Sequence, residues 1–169
     1  MLHEQGVEKT TLADIARAAD VPVGNVYYYF KTKDQLIEAA IEEHGHHLDQ
    51  MIHALEGLAT PQERLKALIQ GWIGESDLTA RYGCPTGTLA AELDKRDDGL
   101  DRAIAGVMAR LLDWVQGQFA AMGRADAREL AIALFAAYQG AALLTNTFRD
   151  PGLMRTEGHR LERWIDSLA

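Results

Sequence analysis

Seven consecutive residues, Tyr27-Tyr28-Tyr29-Phe30-Lys31-Thr32-Lys33, gather aromatic rings, hydroxyls and two cations in one short stretch. Such a set can reach phosphate oxygens and thymine methyls together. Tyr27, Tyr28 and Lys33 read as contact residues, whereas Tyr29 and Phe30 read as a local aromatic core. Cys84 is the sole thiol. It follows Gly83 at the approach to a helix, where unpaired backbone amides make a thiol more reactive. It is either an inert buried cysteine or a sensing one. His44, His46, His47 and His53 fall on one helix, but no third ligand is fixed by spacing, so they read as a solvated face and no metal is expected. The only serines, Ser76 and Ser167, have no nucleophile setting, and neither a glycine-rich phosphate loop nor an H-E-x-x-H motif occurs. The pattern excludes an enzyme and implies no cofactor. One cysteine also excludes a disulfide framework and a cysteine-rich zinc site.

The elements that carry these residues have helical period throughout, and no stretch alternates like a strand. Thr11 N-caps a short helix striped by Leu12, Ile15, Ala16 and Ala19. Asp20-Val21-Pro22 breaks it, because Pro22 disfavours a helical Val21. A second short helix runs from about Val23 to Phe30. Ile15, Ala16, Ala19, Val21, Val26 and Phe30 suit a core shared by the two, leaving Val23, Gly24, Asn25, Tyr27 and Tyr28 outward. A free helix face of this kind enters a DNA major groove in the helix-turn-helix arrangement. Thr32 and Gln35 then form a capping box for a long helix striped by Ile37, Ile41, His44, Leu48, Met51 and Leu55. Thr60-Pro61-Gln62-Glu63 opens the next, which reaches a break at Tyr82-Gly83-Cys84-Pro85. A short helix over Thr88–Leu93 and long ones over Leu100–Met122, Asp126–Phe148 and beyond Pro151-Gly152 follow. The fold class is all-α, with eight or nine helices: a helix-turn-helix DNA-binding domain over 1–33, and a helical-bundle ligand-binding and dimerisation domain over 34–169.

The 169 residues carry a net charge of −8, which argues against indiscriminate nucleic-acid binding. Residues 1–36 hold Lys9, Arg17, Lys31 and Lys33 against Glu4, Glu8, Asp14, Asp20 and Asp34, so the excess acidity sits in the body. No apolar run approaches the roughly 18 residues that span a bilayer, and no charged-then-apolar leader opens the chain, so a cytoplasmic protein without a membrane partner is expected. The Ala125–Thr147 segment is apolar nearly all round, with Ala133, Ala136, Ala137, Gly140 and Ala141 small enough for a partner helix to approach closely. A helix apolar on every side is buried on every side. With the last helix, whose stripe includes Trp164, it would make half of a four-helix bundle across a two-fold axis. A homodimer would also supply the two headpieces that a palindromic operator requires.

Thr10-Thr11-Leu12-Ala13-Asp14-Ile15-Ala16-Arg17-Ala18-Ala19-Asp20-Val21 and Asn25-Val26-Tyr27-Tyr28-Tyr29-Phe30-Lys31-Thr32-Lys33-Asp34-Gln35-Leu36 closely resemble the signature of the TetR family of regulators, without a gap. Gly83-Cys84-Pro85-Thr86-Gly87-Thr88-Leu89-Ala90-Ala91-Glu92-Leu93 is similar to the Gly-Cys segment of one TetR subgroup. The resemblance implies that Val23, Gly24, Asn25 and Tyr27 face bases, while Thr11, Tyr28, Tyr29 and Lys33 hold phosphates of a double-stranded DNA operator. It further implies a pocket between the middle helices for a lipophilic small-molecule effector, with Trp72, Tyr82, Cys84, Met108, Trp114 and Tyr138 at its wall and Phe119 and Phe148 nearby. Thiol-based sensors among similar regulators extend this to an electrophilic effector at Cys84. Asp20 and Pro22 depart from the family's usual glycine and capping serine. Only Met1–Gln5 precede Gly6, so the first helix reads as truncated by roughly three turns, its apolar floor uncovered. Either the start lies upstream, or the chain is a dimeric small-molecule-binding protein without competent DNA binding.

Overall fold

Thr11, Thr32 and Thr60 each stand in extended backbone, and each side chain accepts a hydrogen bond from the amide three residues on, which is what starts a helix there. At Thr11 and Thr60 the acid of the box, Asp14 or Glu63, takes back the cap's own amide. At Thr32 the expected box is only half made. The Gln35 side-chain oxygen accepts from Lys31 N at 2.7 Å, one residue early.

This computed structural model describes residues 2–96 and 99–168, and among them there are ten helices and no strand. They are α1 (Leu2–Gln5), α2 (Leu12–Ala18), α3 (Val23–Tyr29), α4 (Lys33–Glu56), α5 (Pro61–Gly74), α6 (Ser76–Tyr82), α7 (Pro85–Leu93), α8 (Leu100–Ala121), α9 (Ala127–Phe148) and α10 (Pro151–Asp166). The count exceeds the eight or nine expected in part because the segment opened by Thr60 divides at Glu75. Gly71 and Gly74 weaken the helix there, and Arg155 of α10 donates to Ser76 Oγ at the new start. α7 begins at Pro85 rather than Thr88, with Cys84 as its N-cap.

Two cores position everything else. In the body, Leu65, Leu68 and Ile69 of α5 pack with Val115 and Phe119 of α8, Leu134 of α9, and Leu161 and Ile165 of α10. α5 and α10 approach so closely that a Cβ at Gly158 would run into the Ile73 side chain. The second core joins headpiece to body: Val7, Ile37 and Ile41 are buried against Leu89 and Leu93 of α7 and Leu100, Ile104 and Val107 of α8. Val7 and the first turns of α4 are thus covered by α7 and α8, while the α2–α3 core has Leu2 of the short α1 packed against it. α9 is, by length and composition, long and apolar enough to cross a membrane (mean hydropathy 1.3), contrary to the expectation of no such segment. In the fold it packs against α6, α8 and α10.

Candidate nucleic-acid interface and ligand cavity

α2 leaves its last turn through Asp20, whose φ of +54° lies in the left-handed region. Aspartate tolerates that conformation better than most residues, which explains why it can stand where a glycine is usual. Pro22 then N-caps α3 without a side-chain hydrogen bond. The shared core consists of Leu12, Ala16, Val26 and Leu36, with Ile15 and Phe30 against it. Ala19 and Val21, given to that core above, are exposed instead, because the chain turns away from it at Asp20.

α3 presents an open face. Val23, Gly24, Asn25 and Tyr27 are exposed, and a Cβ at Gly24 would meet open space. Tyr28 and Tyr29 are 73% and 74% exposed and meet edge to face. Tyr29 thus leaves the aromatic core assigned to it, and only Phe30 packs inward. Lys31 Nζ donates to the Tyr27 and Tyr28 carbonyls, closing the C-terminus of α3. Lys33 is not free in this state: its ammonium donates to Val7 O at 3.0 Å and Glu8 O at 3.3 Å. The Thr11 hydroxyl donates to Asp14 Oδ2, and the Thr11 hydrogen bonds hold the Asp14 carboxyl below the usual carboxylate range.

The residues proposed for an interior pocket do not share one cavity wall. Trp72 stacks on Tyr138 with ring centroids 4.1 Å apart, filling the space between α5 and α9. Trp114 packs on the body core, Phe119 is fully buried in it, and Phe148 is exposed on the surface. Tyr82 lies against the His3 ring, and Met108 is half-buried on α8. Cys84 and Tyr138 do meet: the phenol donates to Sγ at 3.4 Å, and burial, with the thiol beside it, pushes the Tyr138 pKa well up. Gly87 N at 3.4 Å and Gln139 Nε2 at 3.7 Å also donate to this sulfur. Beside Cys84 a cavity of about 360 Å³ opens between α7 and α9. Gln139, Asn146, Thr88 and Ala91 line it, and sequence reasoning missed them because helix periodicity carries no mark of a neighbour so distant in the chain. Among the described residues no group of three or more metal-ligating side chains converges.

α9 is not buried on every side. Ala131, Leu134, Ala142 and Thr145 face inward, while Ile132, Ala133, Ala136, Gly140, Leu143, Leu144 and Phe148 are exposed. Within the protomer, two residues expected at a dimer interface are partly or wholly covered. Ala141 is buried with Cys84 and Met154 and also lines a second cavity, between α9 and α10, and half-buried Trp164 tilts against Phe119 at 5.9 Å. Ala137 is half-buried beside that cavity.

A short capped bihelix that exposes one face of its second helix, carried on an all-helical body, defines a helix-turn-helix DNA-binding regulator. Residues 1–40 match the bacterial regulatory proteins of the tetR family, and residues 61–159 match the C-terminal domain of LmrA/YxaF-like transcriptional regulators. The chain belongs to the TetR family, whose members are transcription regulators and not enzymes. It is 27% identical over 184 residues to the regulator TtgR of Pseudomonas putida, covering 98% of this chain and 82% of that one. It is 37% identical over 71 residues to the regulator BetI of Rhizobium meliloti, a match of 41% of this chain and only 35% of that relative's length. The crystal structure of regulatory protein TetR from Rhodobacter sphaeroides superposes with a TM-score of 0.83 at 25% identity, covering 96% and 91% of the two chains.

Proposed function

We propose that this chain is a cytoplasmic, ligand-responsive repressor that binds a palindromic DNA operator as a homodimer and leaves it when a small lipophilic or electrophilic molecule occupies the body. The open face of α3 carries this reading. Val23, Gly24, Asn25 and Tyr27 are available to base edges, and Tyr28, Tyr29 and Thr11 flank them for phosphates. Lys33 joins the phosphate contacts by exchanging the Val7 and Glu8 carbonyls for a phosphate oxygen. The exposed apolar face of α9, with α10 beside it, supports the dimer. A thousandfold release would require about 4 kcal/mol of preference for the DNA-incompetent state. Selection from a random duplex pool should return a palindrome. Lys33→Ala should weaken binding to every sequence and flatten its salt dependence, whereas Asn25→Ala should relax base preference. Failure of the intact chain to show salt-sensitive, sequence-selective binding would sink the repressor reading. The internal engagement of Lys33 and Thr11 favours a second reading, a dimeric small-molecule-binding protein without DNA binding. It predicts that no palindrome is recovered.

A further inference from the structure

We propose that the effector site is the cavity between α7 and α9, that it takes a small uncharged molecule with hydrogen-bonding groups, and that α7 passes its occupancy to the headpiece. The inference rests on the regulator reading above and gives that reading a site, a ligand chemistry and a route.

The cavity's contents follow from its wall. At about 360 Å³ it lies at the small end of the roughly 300–1,000 Å³ typical of ligand sites. No charged side chain lines it among the described residues. An ionic ligand would enter without a counter-charge, at a large desolvation cost. Ala91, Ala142 and Leu143 make much of the wall apolar, and the polar groups set among them are amides, a hydroxyl and a thiol: Gln139, Asn146, Thr88 and Cys84. Asn146 is held in place by its own bond to Ala80 O, and Gln139 lies against Sγ. A mostly apolar wall with a few fixed polar groups selects neutral molecules that combine apolar surface with hydrogen-bonding groups.

The route follows from the two sides of α7. Gly87, Thr88 and Ala91 line the cavity, while Leu89 and Leu93 are buried with Ile37 of α4 and Val7 of the loop that precedes α2. A helix of nine residues moves as one body, about 13 Å long. Polar ties reinforce the apolar contact. Glu92 Oε2 accepts from Val7 N at 2.6 Å, and Arg96, just past the helix, pairs with Asp34 on α4 at 2.6 Å. Val7 is also one of the two residues whose carbonyls hold Lys33. A molecule that displaces α7 thus pulls on the loop that holds the headpiece's phosphate-binding cation.

Because Cys84 is the only cysteine, its alkylation reports entry to the cavity. Iodoacetamide and iodoacetate both form an S–C bond with loss of iodide and of the thiol proton, and they differ in charge. Measured by mass spectrometry on the native protein at pH 8, the preference for iodoacetamide should exceed that of glutathione by about tenfold or more. Ala91→Trp, a change at an exposed position on the cavity wall, should slow iodoacetamide by about tenfold, and Ala91→Leu should act likewise if the tryptophan impairs folding. The acetamide adduct should weaken binding to the selected palindrome by about tenfold, and Glu92→Ala should reduce that effect to about threefold or less. Equal reaction with both reagents, no reaction in the native state, or an unchanged rate in both Ala91 variants would overturn the site. Tight DNA binding that the adduct leaves unchanged would overturn the route alone. If the unmodified chain selects no DNA, the repressor reading fails, and the alkylation arms still decide the cavity.

Discussion

Single residues carry the chemistry of this chain through their local backbone and burial. Asp20 holds a left-handed conformation that costs ordinary L-residues about 1–2 kcal/mol and β-branched ones most. Asp20→Val should therefore lower stability by about 1–2 kcal/mol in urea unfolding, and Asp20→Gly should not lower it. The Tyr138 phenol is buried against Trp72 and Cys84, and its pKa in the folded state lies above the ordinary value of 10. Above pH 10 the unfolded chain releases this proton and the folded chain keeps it. Stability from this group is thus complete below pH 10 and falls as pH rises further, by about 1.4 kcal/mol per unit. Tyr138→Phe should remove that part of the alkaline slope, as read from urea midpoints between pH 9 and 11. An identical slope in the variant would show the phenol to be solvated.

At the scale of elements, the headpiece depends on caps and the body on close helix approach. Thr11→Ala removes a complete capping box and should destabilise by about 1 kcal/mol, a loss that appears without DNA and so separates capping from phosphate contact. Gly158→Ala would drive a methyl into Ile73 and should cost about 1–3 kcal/mol by thermal unfolding. α4 runs from the headpiece helices into the body and carries half-buried His44, whose pKa burial lowers, with His3 and His47 adding to the effect. Its folded value lies below 6.5, so stability from keeping it neutral is present above pH 6.5 and lost as pH falls below. His44→Gln should flatten the acid limb of the stability profile over that window.

Across the molecule as a whole, α9 leaves an apolar surface open: Ile132, Leu143, Leu144 and Phe148 are 49–67% exposed along it. Contiguous apolar surface of this kind marks an association site. Gly140 lies in the middle of it, and a Cβ there meets nothing within the protomer. Gly140→Leu should therefore fold normally but weaken self-association by tenfold or more, about 1.4 kcal/mol. Sedimentation at micromolar concentration should show a dimer for the native chain and a shift to monomer for the variant. A native monomer would leave this face without its proposed partner.

The sequence alone determined the all-helical class, most helix starts and the headpiece. Each depends on residues three or four apart: Thr11 with Asp14, Thr60 with Glu63, Ile37 with Ile41. Asp20 is legible in the same way, as the residue standing at a glycine position. Tertiary structure decided what depends on residues far apart in the chain. His3 reaches Gly83, Val7 reaches Glu92, and Tyr138 reaches Cys84, contacts spanning 80, 85 and 54 residues. Other long-range packing buries Ala141 beside Cys84, sets Trp164 against Phe119, and ties Lys33 to the first loop. It also places the cavity beside α7 and away from the stacked aromatics. Helical period states which residues share a face. It does not state what that face meets, because the neighbour is chosen by packing of the whole chain.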